Sequence, residues 1–304
     1  MSSISRRTFL RQGSATAATA ALVSALPREL WADPLGLPVG IQIYTVKDVL
    51  QNDVPSTLKK LRAIGYGQVE AFRYPGFNAQ SLRSALDAAG LACPGAHLAF
   101  NQPDLGPVFE EAHTLGAHYA VSSTLRPHPV KHAKGQPLPD LTLDDYKLLA
   151  AKMNDIGKQA KAAGLQYAYH NHDMEFRDLG GGKIGYDILL KETDPALVNF
   201  ELDCGWMAVA GYNPIDYFEN YPRRYKMLHV KQFVKGSPRT TSTQGPARPQ
   251  GTELGRGEPD YKPIFAAARK VGIQHYFVEQ EPPFLDMTSM EAAKVDYRYL
   301  HSLS

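Results

Sequence analysis

The chain has 304 residues, of which 43% are hydrophobic and 21% charged, with a formal net charge of +2 at pH 7. Such a composition excludes a disordered polypeptide and allows a substantial buried core, in one large or two modest domains. The near balance of charge gives no overall attraction to nucleic acid, and the body of the chain has no apolar run of about 18 residues to span a membrane, which leaves small neutral or mildly anionic ligands.

The N-terminus stands apart from the rest. Ser5-Arg6-Arg7-Thr8-Phe9-Leu10-Arg11 is followed by the uncharged, Ala-rich stretch Gly13 to Leu26, then Pro27, with small-residue cleavage positions near Ala25 and Ala32. Ala, Thr and Ser surround this stretch on every side, so it lacks the polar face of an amphipathic helix. The segment resembles a twin-arginine export signal. The expectation is that residues 1–32 engage the twin-arginine (Tat) export machinery and that residues 38–304 form a folded body. That body would reach the periplasm, or otherwise leave the cytoplasm, with no membrane attachment.

From Pro38 onward, short apolar runs alternate with longer stretches of helical period. The runs Val39 to Tyr44, Gln68 to Ala71, Ala92 to His97, Tyr119 to Ser122, Leu165 to His170, Val198 to Leu202, Met227 to Val230 and Tyr276 to Glu279 predict eight strands. Helices are predicted at Val54 to Ile64, Ala79 to Ala89, Pro107 to Leu115, Leu143 to Ala163, Tyr261 to Val271 and Ser289 to Leu300. Glycines at 65, 90, 116, 164 and 272 close several helical stretches just before the next strand, where a left-handed residue turns the chain back. Eight βα units over roughly 270 residues predict an α/β fold, a single (β/α)8 TIM barrel. A doubly wound open sheet is the alternative, and "IYTVKDVLQND" after the first strand lacks the glycine-rich phosphate turn it would need. The longest irregular stretch, Lys235 to Pro259, follows the seventh strand and should overhang the C-terminal mouth. Cys93 and Cys204, the only cysteines, lie in apolar stretches and read as buried free thiols.

Ionisable residues fall at the ends of these runs: Glu70, His97, His170, Asp203, His229 and Glu279. In a parallel barrel such ends converge on one mouth, although tens of residues separate them in the chain. Carboxylates and imidazoles together suit a hard or borderline divalent cation, and few thiols are available for a soft site. A metal so held polarises a carbonyl and acidifies the neighbouring C–H, while nearby carboxylates exchange the proton.

The ordered series "VGIQIYTVKD", "GYGQVEAF", "PGAHL", "YHNHDMEF", "NFELDCGWMAVAG", "MLHVKQ", "LGRGEPDYKPIFAAARKVGI" and "YFVEQE" resembles the strand-end motifs of the sugar phosphate isomerase/epimerase family, the xylose-isomerase-like TIM barrels. The resemblance runs from about Pro38 to Leu300. It implies a divalent ion, most commonly Mn, with Mg, Co or Zn as alternatives. By position it implies ligands at Asp203, His229 and Glu279, with Glu281 a weaker alternative to Glu279. In the fifth strand, where epimerases of the family carry a Glu that binds metal and carries a proton, this chain has His170, followed by His172 and Glu175. His170 therefore joins the expected ligands, with His172 or Glu175 as alternatives for completing the shell, and the expected catalytic residues are Glu279, His170 and Lys231, the last weighed against a solvated loop lysine. Inosose-dehydratase-like lyases of the superfamily are similar in carrying paired histidines here.

Glu70, His97, His172, Glu175, Trp206 and Arg256 are the expected substrate-binding positions; Glu70 and His97 are each weighed against orienting a metal ligand from behind it, Trp206 against core packing and Arg256 against bracing its loop, and His128 and His132 read as surface residues. The function expected is a metal-dependent isomerase or epimerase acting on a sugar or keto-sugar. The alternative is a metal-dependent lyase or dehydratase on a keto-sugar or keto-glycoside. An endonuclease-four-like phosphodiesterase and a non-catalytic sugar-binding barrel rank lower, and homo-oligomerisation is left open.

Overall fold

The computed structural model describes residues 34–129, 139–242 and 248–303. The expected export segment and His132 lie outside them. Strands β1 (Gly40–Gln42), β2 (Gln68–Phe72), β3 (Ala92–His97), β4 (Tyr119–Ser123), β5 (Gln166–His170), β6 (Val198–Asp203) and β7 (Tyr225–Val230) are followed by two short strands, β8 (Gln232–Phe233) and β9 (Gly251–Thr252), and then by β10 (His275–Val278). Eight of them close a parallel barrel in the order β1-β10-β7-β6-β5-β4-β3-β2, while β8 and β9 pair antiparallel. The predicted (β/α)8 barrel is the observed fold.

Helix starts and stops follow local chemistry. Asp53 caps Val54–Ile64 by accepting from the Ser56 amide, and Asn78 caps Ala79–Ala89 through Ser81. Reciprocal capping boxes open Leu143–Ala162 (Thr142 with Asp145) and Ser289–His301 (Thr288 with Glu291). Four short helices not predicted from the sequence, Lys47–Leu50, Gly185–Glu192, Cys204–Val209 and Pro214–Asn220, have too few turns to display a helical period. The first strand is shorter than expected because Ile43–Val46 winds into a 3-10 turn.

Strand side chains alternate between two cores. Ile41, Val69, Ala71, Tyr167, Tyr169, Phe200, Leu202, Leu228, Val230, Tyr276 and Val278 pack with the helices in the main core. Their neighbours in sequence point into the barrel, where Tyr119, Val121, Ala168, Met227 and Phe277 form a separate buried cluster. This plug fills the barrel interior. Polar residues one or two positions further along the same strands, such as His170, His229 and Glu279, therefore stand at the C-terminal mouth. Cys93 and Cys204 are buried and unpaired.

Candidate metal centre

Two overlapping donor sets occupy the mouth. His170, Asp203, His229 and Glu279 each offer a ligand atom within 4.8 Å of the others, and so do His97, His170, Glu201 and His229. The first set is the one expected from the sequence. The second introduces Glu201, which that reading missed, although it stands two residues before Asp203 on β6 and so shares its inward face.

Hydrogen bonds tie the sets together. Glu70 Oε2 lies 2.7 Å from His229 Nε2, 3.1 Å from His97 Nε2 and 2.8 Å from Gln42 Nε2. Glu201 Oε2 lies 3.0 Å from His97 Nε2 and 3.2 Å from His170 Nδ1. On the other side of the two rings, His229 Nδ1 is 3.2 Å from Glu279 Oε2, and His170 Nε2 is 4.0 Å from Asp203 Oδ2. Asp203 serves two structures at once. Its Oδ1 caps the Cys204–Val209 helix by accepting from the Trp206 amide at 2.8 Å, which leaves Oδ2 for the site. Lys231 Nζ reaches Asp203 (3.3 Å), Glu279 (2.7 Å) and Glu281 (2.8 Å).

Burial works against every charge here, and the neighbours decide each outcome. Burial pushes Glu70 up, but His97 and His229 outweigh it and hold its carboxyl at about 2. Burial pushes His97 down, yet Glu70 and Glu201 carry it up to about 10. His229, opposed by burial in the same way, is held well above its ordinary value by Glu201, Glu279 and Glu70. His170 goes the other way, because burial and then the charge on His229 keep it well below. His172 is lowered by burial and then by Lys231. Burial also opposes the Lys231 charge, but Asp203, Glu279 and Glu281 more than restore it.

The residues fit a divalent cation. Glu70 Oε1 and Glu201 Oε1 are buried without a hydrogen bond among the described residues, and Asp203 Oδ2 has only the Lys231 ammonium, 3.3 Å away. Buried carboxylate oxygens left so are costly unless a cation or donor meets them. An oxygen and imidazole donor set matches Mg, Mn, Co or Zn and offers no thiolate.

A cavity of about 460 Å³ opens above the centre, lined by His97, His170, His172, Glu279 and Glu281 on the polar side and by Tyr44, Phe72, Leu98, Phe100 and Leu125 on the apolar side. A smaller one of about 210 Å³ shares Glu281 with it and is lined by Lys231, Phe233, Arg248 and Gln280 among others.

Of the expected substrate-binding residues, the structure brings His97 and His172 to the cavity wall. It places the other four elsewhere. Glu70 sits beneath the centre, its Oε2 engaged by Gln42, His97 and His229. Glu175 is buried behind β5, where it accepts from Tyr169 Oη at 2.7 Å and from the His172 amide at 2.9 Å, and so braces the loop. Trp206 is buried against Phe233, with Lys231 Nζ 5.0 Å from its ring. Arg256 pairs with Glu253 and Asp286 and fastens its own loop. His128 is exposed, as expected.

The chain belongs to the xylose isomerase-like TIM barrel family, whose profile matches residues 58–293. Among curated proteins it is 28% identical over 156 residues to an inosose dehydratase of Lacticaseibacillus casei, an alignment covering 47% of this chain and 50% of that protein. The chain thus spans about half the length of the curated relatives it matches. Among solved structures, a sugar phosphate isomerase/epimerase from Parabacteroides distasonis superposes with a TM-score of 0.69 at 26% identity, covering 87% of this chain and 94% of that one. A xylose isomerase-like TIM barrel protein from Mycobacterium smegmatis in complex with magnesium superposes with a TM-score of 0.63 at 14% identity, covering 89% and 97%; at that identity it shows the fold alone.

Proposed function

We propose that this chain is a divalent-metal-dependent enzyme that moves a proton at the carbon next to a sugar carbonyl, as an isomerase or epimerase of a sugar or keto-sugar. One observation carries the reading: His170, Asp203, His229 and Glu279, from four different strand ends, converge, and two of them, His170 and Glu279, line a cavity that fits a small polar molecule. When bound, Mn, or alternatively Mg, Co or Zn, supplies Lewis-acid polarisation of the carbonyl. Glu279, held ionised by Lys231 and His229 against the effect of burial, faces the cavity as a proton acceptor. His172, whose Nδ1 has no partner among the described residues, lines the same cavity from the β5 side as a neutral imidazole that takes or returns a proton. Lys231 holds Glu279 and Glu281 and orients substrate oxygens. The names of the L. casei and P. distasonis proteins support a sugar or cyclitol substrate.

Elimination is the second reading, making the chain a lyase or dehydratase. It is favoured by the second cavity, where Lys231 and Glu281 stand between the centre and room for a departing group, and by the relatives named inosose dehydratase. Lys231 then protonates the leaving oxygen. Export of the mature protein through the twin-arginine pathway remains part of the proposal, and fractionation of cells expressing the full chain tests it.

Incubation with candidate sugars and keto-sugars in D2O with added Mn separates the readings. Deuterium at one carbon without loss of a group marks the isomerase or epimerase, and loss of water or an aglycone marks the lyase. A protein that retains no ion after purification in excess Mn defeats both.

A further inference from the structure

We propose that Glu70 and Glu201 are positioning residues that select which ring nitrogen of His229 and of His170 faces a bound divalent cation. The inference rests on the metal-dependent reading above. An ionised carboxylate only accepts hydrogen bonds, so each ring nitrogen it touches must carry the proton. Glu70 Oε2 touches His229 at Nε2 (2.7 Å), and Glu201 Oε2 touches His170 at Nδ1 (3.2 Å). The opposite nitrogens, Nδ1 of His229 and Nε2 of His170, face Glu279 Oε2 (3.2 Å) and Asp203 Oδ2 (4.0 Å), so a cation held by those two carboxylates would meet them, taking the place of the proton that His229 Nδ1 otherwise shares with Glu279. The two overlapping donor sets thus sort into a lower tier that holds the rings and an upper tier that binds.

Access points the same way. Glu279 lines the large cavity, whereas Glu70 and Glu201 are fully buried and line neither cavity, so of these three carboxylates only Glu279 stands where an ion and substrate can both meet it. The lower tier is itself held: Gln42 Nε2 donates to Glu70 at 2.8 Å, and His97 Nε2 sits within 3.1 Å of both carboxylates. Carboxylates that orient ligand imidazoles in this way raise metal affinity without touching the metal.

The test uses the full protein labelled with 15N-histidine and zinc as a diamagnetic probe, read by long-range 1H–15N correlation and by chelator competition. In the wild type, zinc should sit on Nδ1 of His229 and Nε2 of His170, with the opposite nitrogens protonated. Glu70→Ala and Glu201→Ala should raise the zinc dissociation constant about 10- to 100-fold and scramble the tautomer of His229 and His170 respectively. Glu70→Gln and Glu201→Gln keep a neutral acceptor and should fall between, and they carry the test where an alanine variant does not fold. Zinc on Nε2 of His229, or folded variants that bind within about twofold of wild type with unchanged tautomers, overturns this inference alone. A wild type that binds no zinc, manganese or magnesium overturns it together with the metal-dependent reading.

Discussion

Glu70 Oε2 and His229 Nε2 meet at 2.7 Å although 159 residues separate them in the chain. Their strands, β2 and β7, are not neighbours; β1 and β10 lie between them in the barrel. The contact therefore crosses the interior and exists only when the barrel has closed. The centre is a property of the closed fold, and a ligand of the centre is a ligand of the fold.

The first prediction follows from that linkage. An ion that binds the folded and not the unfolded chain stabilises by about 2.7 kcal/mol at a hundredfold excess over its dissociation constant. For a domain of this size, that raises the midpoint of thermal unfolding by roughly 5–10 °C. Excess Mn should produce this shift in the wild type. In Asp203→Ala and His229→Ala the shift should vanish, with metal analysis showing loss of bound ion. Variants that retain full metal would place the ion elsewhere.

Gly95 carries the second prediction. A Cβ there would stand 2.9 Å from Glu70 Oε1 and 3.5 Å from Met227 Sδ, so even one methyl crowds the carboxylate beneath the centre. Gly95→Ala should cost about 1–3 kcal/mol of stability as a small overpacking defect. Because Glu70 must move to make room, metal affinity should fall about tenfold, as for other disturbed outer partners of a metal ligand. Calorimetric melting beside a metal titration separates the two effects, and full affinity in Gly95→Ala would show that Glu70 moves without consequence.

Much of this site was legible because each strand ends where its apolar run ends, and a parallel barrel gathers those ends at one mouth. Asp203, His229, His170 and Glu279 were visible on that ground. Glu201 was missed because Val198 to Leu202 was read as an apolar run, although strict alternation on β6 pairs Glu201 with Asp203 and sets Phe200 and Leu202 against the helices. Glu175 could not be placed from sequence, and for Arg256 the sequence left substrate binding and loop bracing both open. Tyr169 Oη draws Glu175 behind β5, and Asp286, 30 residues away, helps draw Arg256 to its loop. At its strand end Glu70 could serve either as a sugar ligand or as the orienting partner of a metal ligand, and barrel closure brings it to His229.

Arg224 offers a test of stability away from the centre. Its buried guanidinium donates to the Leu190, Thr193 and Val198 carbonyls and to Thr193 Oγ1, which fastens the end of the Gly185–Glu192 helix to the start of β6. Arg224→Ala leaves those acceptors without a donor and opens a cavity. The expected loss is about 2–4 kcal/mol, measured by denaturant unfolding. Metal affinity of the folded fraction should stay at the wild-type value. A parallel loss of affinity would mean that the β6 end of the site depends on this fastening.

The pH dependence of stability should show two groups outside the centre with opposite signs. Burial pushes Asp296 up to about 8; the Leu254 amide, its 2.7 Å donor, opposes this, Glu253 adds to it, and Arg256 offsets part of it. The folded chain thus holds a proton on Asp296 that the unfolded chain releases near 4, so the stability it contributes is full below pH 4 and is lost as pH rises through 8. His275 is lowered to about 4, first by burial and then by His118. Its contribution is full above the ordinary histidine value of 6.5 and is lost as pH falls toward 4. Asp296→Asn keeps an acceptor for Leu254 and removes the titration, so thermal melts of this variant should decline less than wild type between pH 4 and 8 and match it in shape below pH 4. His275→Gln should do the reverse, flattening the loss between pH 6.5 and 4 while leaving the alkaline limb intact. Melts run in chelator keep protons from competing with metal at the centre, and a variant whose profile follows wild type at every pH would remove that group from the account.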